Sequence, residues 1–312
     1  MLLCCACGGA SAEASGTGMY FDTVIDIRIC GEDADRLLDE CFAECERLEN
    51  ILSAQKETSE LYQLNHRELS AGEEAEVSEE LAACIEKGLE YGEISEGVFD
   101  ITILPLRELW DFEGEDPSVP SEEEIASALE KVDYRRVHVS GNRVSFDDPD
   151  VQIDLGGIAK GYISRRLKDL LEEEGCTSAL INLGGNVSAI GAKPDGSDWV
   201  VGIQEPFTDR GTVFETVEIN GGSVISSGTY ERYFEQDGKL YHHILDPRTG
   251  YPADTGLQQA TVVGEDDVLG DAFSTVCIAA GREKAEQIAA EQGWDIRILF
   301  IDDSHTGTWY PG

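Results

Sequence analysis

Asp154-Leu155-Gly156-Gly157-Ile158-Ala159-Lys160-Gly161 stands between an apolar entry, Val151-Gln152-Ile153, and a run in which Ile158, Tyr162, Arg166 and Leu170 are spaced by four. That order predicts a strand, a glycine turn and the start of a helix. Paired glycines let a backbone pass close to a ligand, and a helix N-terminus presents unpaired N–H groups that favour an anion. Asp154 and Lys160 bracket the turn with opposite charges. A short βα connection of this kind is also an ordinary structural element, so the stretch takes its meaning from what stands elsewhere in the chain.

Composition narrows the possibilities. The chain has 312 residues, 41% hydrophobic and 28% charged, which suits one large globular domain or two intimately joined ones. Its 23 basic residues face 63 acidic ones, for a formal net charge of −40. Such a balance argues against nucleic acid and against an anionic membrane surface, both of which are bound through Lys and Arg. An anionic small molecule needs a cation or a local cluster of donors to dwell here. Of nine cysteines, Cys30, Cys41, Cys45, Cys84, Cys176 and Cys277 lie in or beside apolar runs and read as core thiols. Cys4 and Cys7 form a C-x-x-C without a second pair at zinc spacing.

Cys4 follows Leu2-Leu3 and precedes a Gly/Ala/Ser-rich run, like the tail end of a bacterial lipoprotein signal. The expectation is therefore an exported protein, lipid-anchored on the outer face of a membrane. Residues 1–18 would be signal remnant and linker, and residues 19–312 the functional domain. No stretch is long enough to span a bilayer.

Further along, residues 21–29 alternate as a strand with Phe21, Thr23, Ile25 and Ile27 on one face, and residues 33–52 carry an amphipathic helical stripe. Residues 53–72 read as a polar connection. Ser78 caps a helix, and Ser121-x-x-Glu124 is a capping box. Ser140-Gly141-Asn142 and Asp237-Gly238 read as hairpin turns. Beyond a second glycine turn, Leu183-Gly184-Gly185-Asn186, the chain becomes mostly β. A helix over residues 268–280 is stopped by Gly281, and residues 296–301 form a final strand. The mixture predicts an α+β fold: a single compact two-lobed unit with mixed, largely antiparallel sheets and flanking helices.

Two groups of residues carry chemistry, and a third, rich in hydroxyls, lacks the pattern of a serine nucleophile. Asp271 and Thr275 are one helical turn apart and share a face, offering hard oxygen ligands suited to Mg²⁺ or Ca²⁺. The same spacing also describes an exposed Asp beside a Thr bonded back to its own helix. His242 and His243 lie on a strand before Asp246-Pro247, so at most one of them faces a given site. A neutral imidazole there can take a proton from a hydroxyl. Ser226-Ser227-Gly228 lacks the G-x-S-x-G elbow, and neither a Walker A motif nor a G-x-G-x-x-G is present.

In this order the motifs resemble the ApbE family of FAD:protein FMN transferases. They are Gly97-Val98-Phe99-Asp100-Ile101-Thr102, residues 154–161, Asn182-Leu183-Gly184-Gly185-Asn186, Ser226-Ser227-Gly228, His243-Ile244-Leu245-Asp246-Pro247-Arg248-Thr249-Gly250 and Asp271-Ala272-Phe273-Ser274-Thr275. The resemblance implies cleavage of FAD at its pyrophosphate and transfer of FMN to a threonine or serine of an acceptor flavoprotein, with release of AMP. It further implies that Asp271, Thr275 and the Gly157 carbonyl hold Mg²⁺. Val98, Phe99, Asp100, Asp154, Gly157, Lys160 and Ile244 would line the FAD site, with His243 and Asp271 catalytic. Two alternatives remain open from sequence: an FAD pyrophosphatase and a non-catalytic FAD-binding lipoprotein. The chain departs from the family pattern at Phe21-Asp22-Thr23, where Met-Gly-Thr is usual, and at Ala54-Gln55-Lys56-Glu57, where a Tyr-Arg-Pro-like segment is usual.

Overall fold

The chain enters through a hairpin, β1 (Glu13–Tyr20) and β2 (Thr23–Cys30), in a computed structural model that describes residues 13–312. Cys4, Cys5 and Cys7 of the expected anchor lie outside the described residues. Residues 13–18, read from sequence as linker, are instead strand, paired with β2 from Glu13↔Cys30 onward. Their small side chains have a packing reason: a Cβ on Gly16 or Gly18 would lie 2.9 or 3.0 Å from the Phe42 ring. Phe21 and Asp22 are the turn, both with positive φ, so the strand starts at Thr23 rather than at Phe21. Ile25, Ile27 and Ile29 form its buried face.

Next come α1 (Ala34–Leu52), α2 (Glu60–Asn65), β3 (Ala75–Glu76), α3 (Glu79–Ile94), α4 (Leu104–Trp110), α5 (Glu122–Leu129) and the hairpin β4 (Val137–Ser140) and β5 (Arg143–Phe146). The sequence reading missed α2, whose N-cap Ser59 accepts from the Tyr62 N–H. Ser78 caps α3, and the capping box at Ser121 and Glu124 is formed in both directions. Ser121→Ala is expected to destabilise the protein by about 1 kcal/mol. A lower denaturant midpoint would be the signature.

The second half runs α6 (Ala159–Glu173), β6 (Ala179–Leu183), β7 (Asn186–Ile190), β8 (Trp199–Gln204), β9 (Val213–Ile219), β10 (Gly222–Gly228), β11 (Tyr233–Gln236), β12 (Lys239–His242), β13 (Leu257–Gly264), α7 (Asp267–Ala280), α8 (Arg282–Gln292), β14 (Arg297–Asp302) and β15 (Gly307–Tyr310). Eight strands form one sheet in the order β1-β2-β6-β7-β10-β13-β14-β15, every neighbouring pair antiparallel. The fold is α+β. The main core lies between this sheet and α1, α3, α6, α7 and α8. On the sheet's other face the β8–β9 ribbon seats Trp199, Val201, Ile203, Val217 and Ile219 against Ala189, Val224, Leu299 and Ile301. A smaller lobe gathers around Trp110, Phe234 and Leu245, and the Trp110 indole N–H donates to the Gly250 carbonyl at 2.8 Å.

α7 is the central helix: all but Thr275 and Ala280 of its residues are buried. Asp266 caps its N-terminus, and Gly281 (φ 80°) ends it. A buried ion pair, Lys168 Nζ to Asp267 at 3.0 Å, ties α6 to α7, and the Ser188 hydroxyl donates to the same carboxylate. Burying a charge is costly unless it is paired and hydrogen-bonded, and here both conditions hold. The face of α6 is shifted from the sequence reading. Ile163, Leu167 and Leu171 are fully buried, whereas Tyr162, Arg166 and Leu170 are half-exposed. The spacing of four was right, and the stripe that packs is one residue along.

Candidate active site

Residues 151–153, expected as a strand, are not part of any strand. Asn65 takes the partner's place: its side-chain oxygen accepts from the Ile153 N–H at 2.7 Å and its amide donates to the Ile153 carbonyl at 2.8 Å. The Asp154 N–H donates to the Ile101 carbonyl at 2.7 Å, which joins this loop to the segment 97–102. Asp154 itself is buried. One of its oxygens accepts from the Gly156 N–H at 2.5 Å and the other from Arg107 Nη1 at 2.7 Å. Its carboxylate therefore holds the loop closed and positions a guanidinium at the cavity wall.

The glycines serve different ends. Gly157 faces Phe99 and Thr275: a Cβ there would lie 2.9 Å from the Phe99 ring and 3.8 Å from Thr275 Oγ1. Gly161 serves a helix crossing, since a Cβ would strike the Asp267 carbonyl and lie 2.7 Å from Asp271 Cβ. The missing side chain also lets the Gly161 N–H donate to Asp271 Oδ2 at 2.8 Å. The N-terminus of α6 is thus partly satisfied by a carboxylate of the protein's own. Gly161→Ala is expected to cost about 1–3 kcal/mol through overpacking. It should lower the unfolding midpoint, because the atoms met are the Asp267 backbone and the Asp271 Cβ.

Asp271 is 2% exposed and fully engaged: Asn186 Nδ2 donates to Oδ1 at 2.7 Å, and Lys160 Nζ stands 3.5 Å from the same oxygen. One turn on, Thr275 is the helix residue that opens into the cavity, its Oγ1 3.2 Å from Ser227 Oγ and 3.4 Å from the Asp271 carbonyl. Among the described residues no three His, Cys, Asp or Glu side chains cluster as a metal site. The donor set here is instead one carboxylate, one hydroxyl and the backbone at Gly157. That set fits Mg²⁺, which keeps several waters and phosphate oxygens and asks few ligands of the protein.

The two histidines divide as their alternation requires. His242 is buried with its Nε2 against the Ala253 carbonyl at 2.9 Å and its Nδ1 accepting from the Ile244 N–H at 3.3 Å, a structural role. His243 borders the cavity, and its Nδ1 faces the Arg232 carbonyl at 3.3 Å. A carbonyl only accepts, so Nδ1 carries the proton and Nε2 is left as a free base. Burial, and then the nearby Arg232 charge, push the His243 pKa down to about 3.

Val98, Phe99, Asp100, Asp154, Gly157, Lys160, His243, Ile244 and Thr275 all border one cavity of about 950 Å³, with Asp271 just behind Lys160. Asp100 adjusts the reading of its segment. Its oxygens accept from the Thr102 N–H and hydroxyl and from the Tyr134 N–H, so it shapes the loop more than it offers itself to a ligand. Burial, opposed by those hydrogen bonds, raises its pKa. Both departures from the family pattern lie on the same wall. Phe21 donates its N–H to Glu49 at 2.7 Å, and the Gln55 amide abuts Arg107. Arg107, Asn186, Ser227 and Arg232 were not singled out from sequence. Asn186 and Ser227 stood in motifs already quoted, whereas Arg107 is reached only through its pairing with Asp154. Five basic residues against six acidic line the cavity, in a chain with 23 against 63. The local enrichment in cations is what an anionic ligand needs in so acidic a protein.

The family model described as the ApbE family matches residues 21–300. The chain belongs to the ApbE family. Among curated ApbE-family relatives, a FAD:protein FMN transferase of Klebsiella pneumoniae is 36% identical over 270 residues, covering 86% of this chain and 82% of the relative. One from Treponema pallidum is 31% identical over 329 residues, covering 97% and 90%. The crystal structure of the ApbE protein from Thermotoga maritima superposes with a TM-score of 0.86 at 32% identity, covering 95% of this chain and 96% of that one. The flavin transferase ApbE from Vibrio cholerae gives 0.85 at 27% identity, covering 96% and 97%.

Proposed function

We propose that this protein is a Mg²⁺-dependent FAD:protein FMN transferase that esterifies a threonine or serine of an acceptor flavoprotein and releases AMP. The observation that carries the reading is one cavity bordered by a free imidazole nitrogen at His243, the Thr275 hydroxyl and the basic side chains of Lys160 and Arg107, with Asp271 directly behind Lys160. Lys160 and Arg107 hold and orient the FAD pyrophosphate. His243 Nε2 takes the proton of the acceptor hydroxyl as its oxygen bonds to the FMN-side phosphorus. The bond from that phosphorus to the bridging oxygen breaks, FMN stays on the acceptor, and AMP leaves with the bridging oxygen. Asp271, Thr275 and the Gly157 carbonyl would hold Mg²⁺, which supplies neutralisation of phosphoryl charge when bound.

Export and lipid anchoring complete the proposal and rest on Cys4 and the small-residue run after it. Globomycin sensitivity in the native host tests them, and an unmodified cytosolic N-terminus would end them. Among the described residues no helix is long and apolar enough to cross a membrane. For the chemistry, FAD, Mg²⁺, the protein and an acceptor domain with or without its target threonine are mixed. Flavin fluorescence in a denaturing gel reads transfer. AMP release without labelled acceptor would mean hydrolysis, and tight FAD binding with neither product would mean a binder.

A further inference from the structure

The residues assigned to FAD are part of the cavity's lining, and Val201, Gly202, Ile203 and Gln204 of β8 also border it. Successive strand residues point to opposite faces. Along β8, Trp199, Val201 and Ile203 are buried against the sheet while Val200 and Gly202 are exposed. Four consecutive residues can share a side only through their backbone edge. β9 is the one strand paired with β8 among the described residues, so alternate residues of that edge turn N–H and C=O groups away from β9 with no strand to meet them. Open edges of this kind accept another chain as an added strand.

The end of the edge is marked by aromatic rings. Phe207 has a left-handed backbone (φ 57°) and is 37% exposed. A bulky residue is strained in that conformation, and here it holds the ring out at the surface. Phe207 meets Tyr233 edge-on at 5.4 Å and Tyr230 at 6.0 Å between ring centroids, and Tyr230 borders the cavity. Of six exposed large hydrophobic side chains among the described residues, Val200, Phe207, Val213 and Tyr233 belong to this ribbon, its loop and the adjoining β11.

We propose that the open edge of β8 docks the acceptor protein. An extended segment bearing the target hydroxyl adds as a strand beside residues 201–204, flanked by Phe207 and Tyr233, and so delivers the hydroxyl to His243. The inference rests on the transferase reading above. The occupant follows from continuity with the reacting centre: FAD arrives as a free molecule, whereas the acceptor hydroxyl must be carried in on a polypeptide. Main-chain pairing supplies affinity along the edge, and the rings supply grip at its end.

The test uses the full chain with FAD and Mg²⁺, an acceptor domain, and a form of that domain whose target threonine is alanine. Hydrogen exchange at residues 201–204 is expected to slow about ten-fold or more with the unreactive acceptor and to be unmoved by FAD alone. Phe207→Gly relieves the left-handed backbone, so the unfolding midpoint should hold or rise. Its acceptor KM should nevertheless rise about ten-fold, with FAD affinity unchanged. Slowing by FAD alone with no further effect of acceptor, or an unchanged acceptor KM in Phe207→Gly, overturns the docking edge and leaves the transferase reading standing. AMP accumulation by the wild-type protein with no acceptor labelled overturns the transferase reading, and the docking edge with it.

Discussion

Asp271→Ala is expected to lower FMN transfer by about 10³-fold at limiting Mg²⁺ if the proposed metal sits there, the several kcal/mol that a bound metal contributes when read as a rate. The carboxylate is the one acidic side chain of the Asp271–Thr275 pair, and it is fixed by the Gly161 N–H at 2.8 Å and Asn186 at 2.7 Å. Removing it leaves both donors without a partner, so the unfolding midpoint is measured beside the rate to separate lost chemistry from lost packing. Asp271→Asn keeps most of the shape and removes the charge. It turns an NH2 group toward one of those donors, so it is expected to unfold somewhat earlier than the wild-type protein and to require far more Mg²⁺ for whatever turnover remains. Full activity of Asp271→Ala at limiting Mg²⁺ would show that the metal belongs elsewhere. Titration of AMP release against Mg²⁺ separates these outcomes.

His243→Ala is expected to slow transfer by about 10²–10⁴-fold while FAD affinity changes little, the usual weight of a general base. Stopped-flow FAD binding beside acceptor labelling reads the two quantities separately. The pH dependence carries a sign. With its folded pKa near 3 and an ordinary value near 6.5, His243 binds more protons unfolded than folded across that interval. Stability from this group is therefore complete above about pH 6.5 and declines as the pH falls toward 3. The variant should lose that part of the acid sensitivity. In catalysis, the free protein keeps His243 neutral well below pH 6.5, so kcat/KM for FAD should show no His243 inflection near that value. Bound phosphates raise the proton affinity of the ring, and the acid limb of kcat should sit at higher pH than that of kcat/KM. Coincident limbs near pH 6.5 would contradict the burial of His243.

Local signals in the chain were legible where the physics is local. Ser78 and Ser121 cap the helices that their spacing to Leu81 and Glu124 announces, and Gly281 ends α7 as a glycine after an apolar helix should. The Asp271–Thr275 pair and the division between His242 and His243 follow from the periods of helix and strand. What failed did so for tertiary reasons. Residues 13–18 look like linker because they are small, yet they are small so that Phe42 of α1 can pack over the strand. Residues 151–153 look like a strand, but an asparagine side chain far along the chain takes the neighbour's place. Gly161 closes the glycine-rich stretch, and the close approach it permits is to another helix. Arg107 carried no signal of its own, because its place is set by a carboxylate 47 residues away.

The ammonium of Lys160, 3.5 Å from Asp271 Oδ1, makes loading of the proposed metal an exchange rather than an addition. The protein carries its own tethered counter-ion. A divalent ion that took over the carboxylate would free that lysine for the phosphates of a bound dinucleotide. Metal and dinucleotide would then be thermodynamically linked through a single mobile charge, each tightening the other by the same factor. One side chain so placed would let a strongly acidic protein hold a doubly anionic substrate best when the metal is there to act on it.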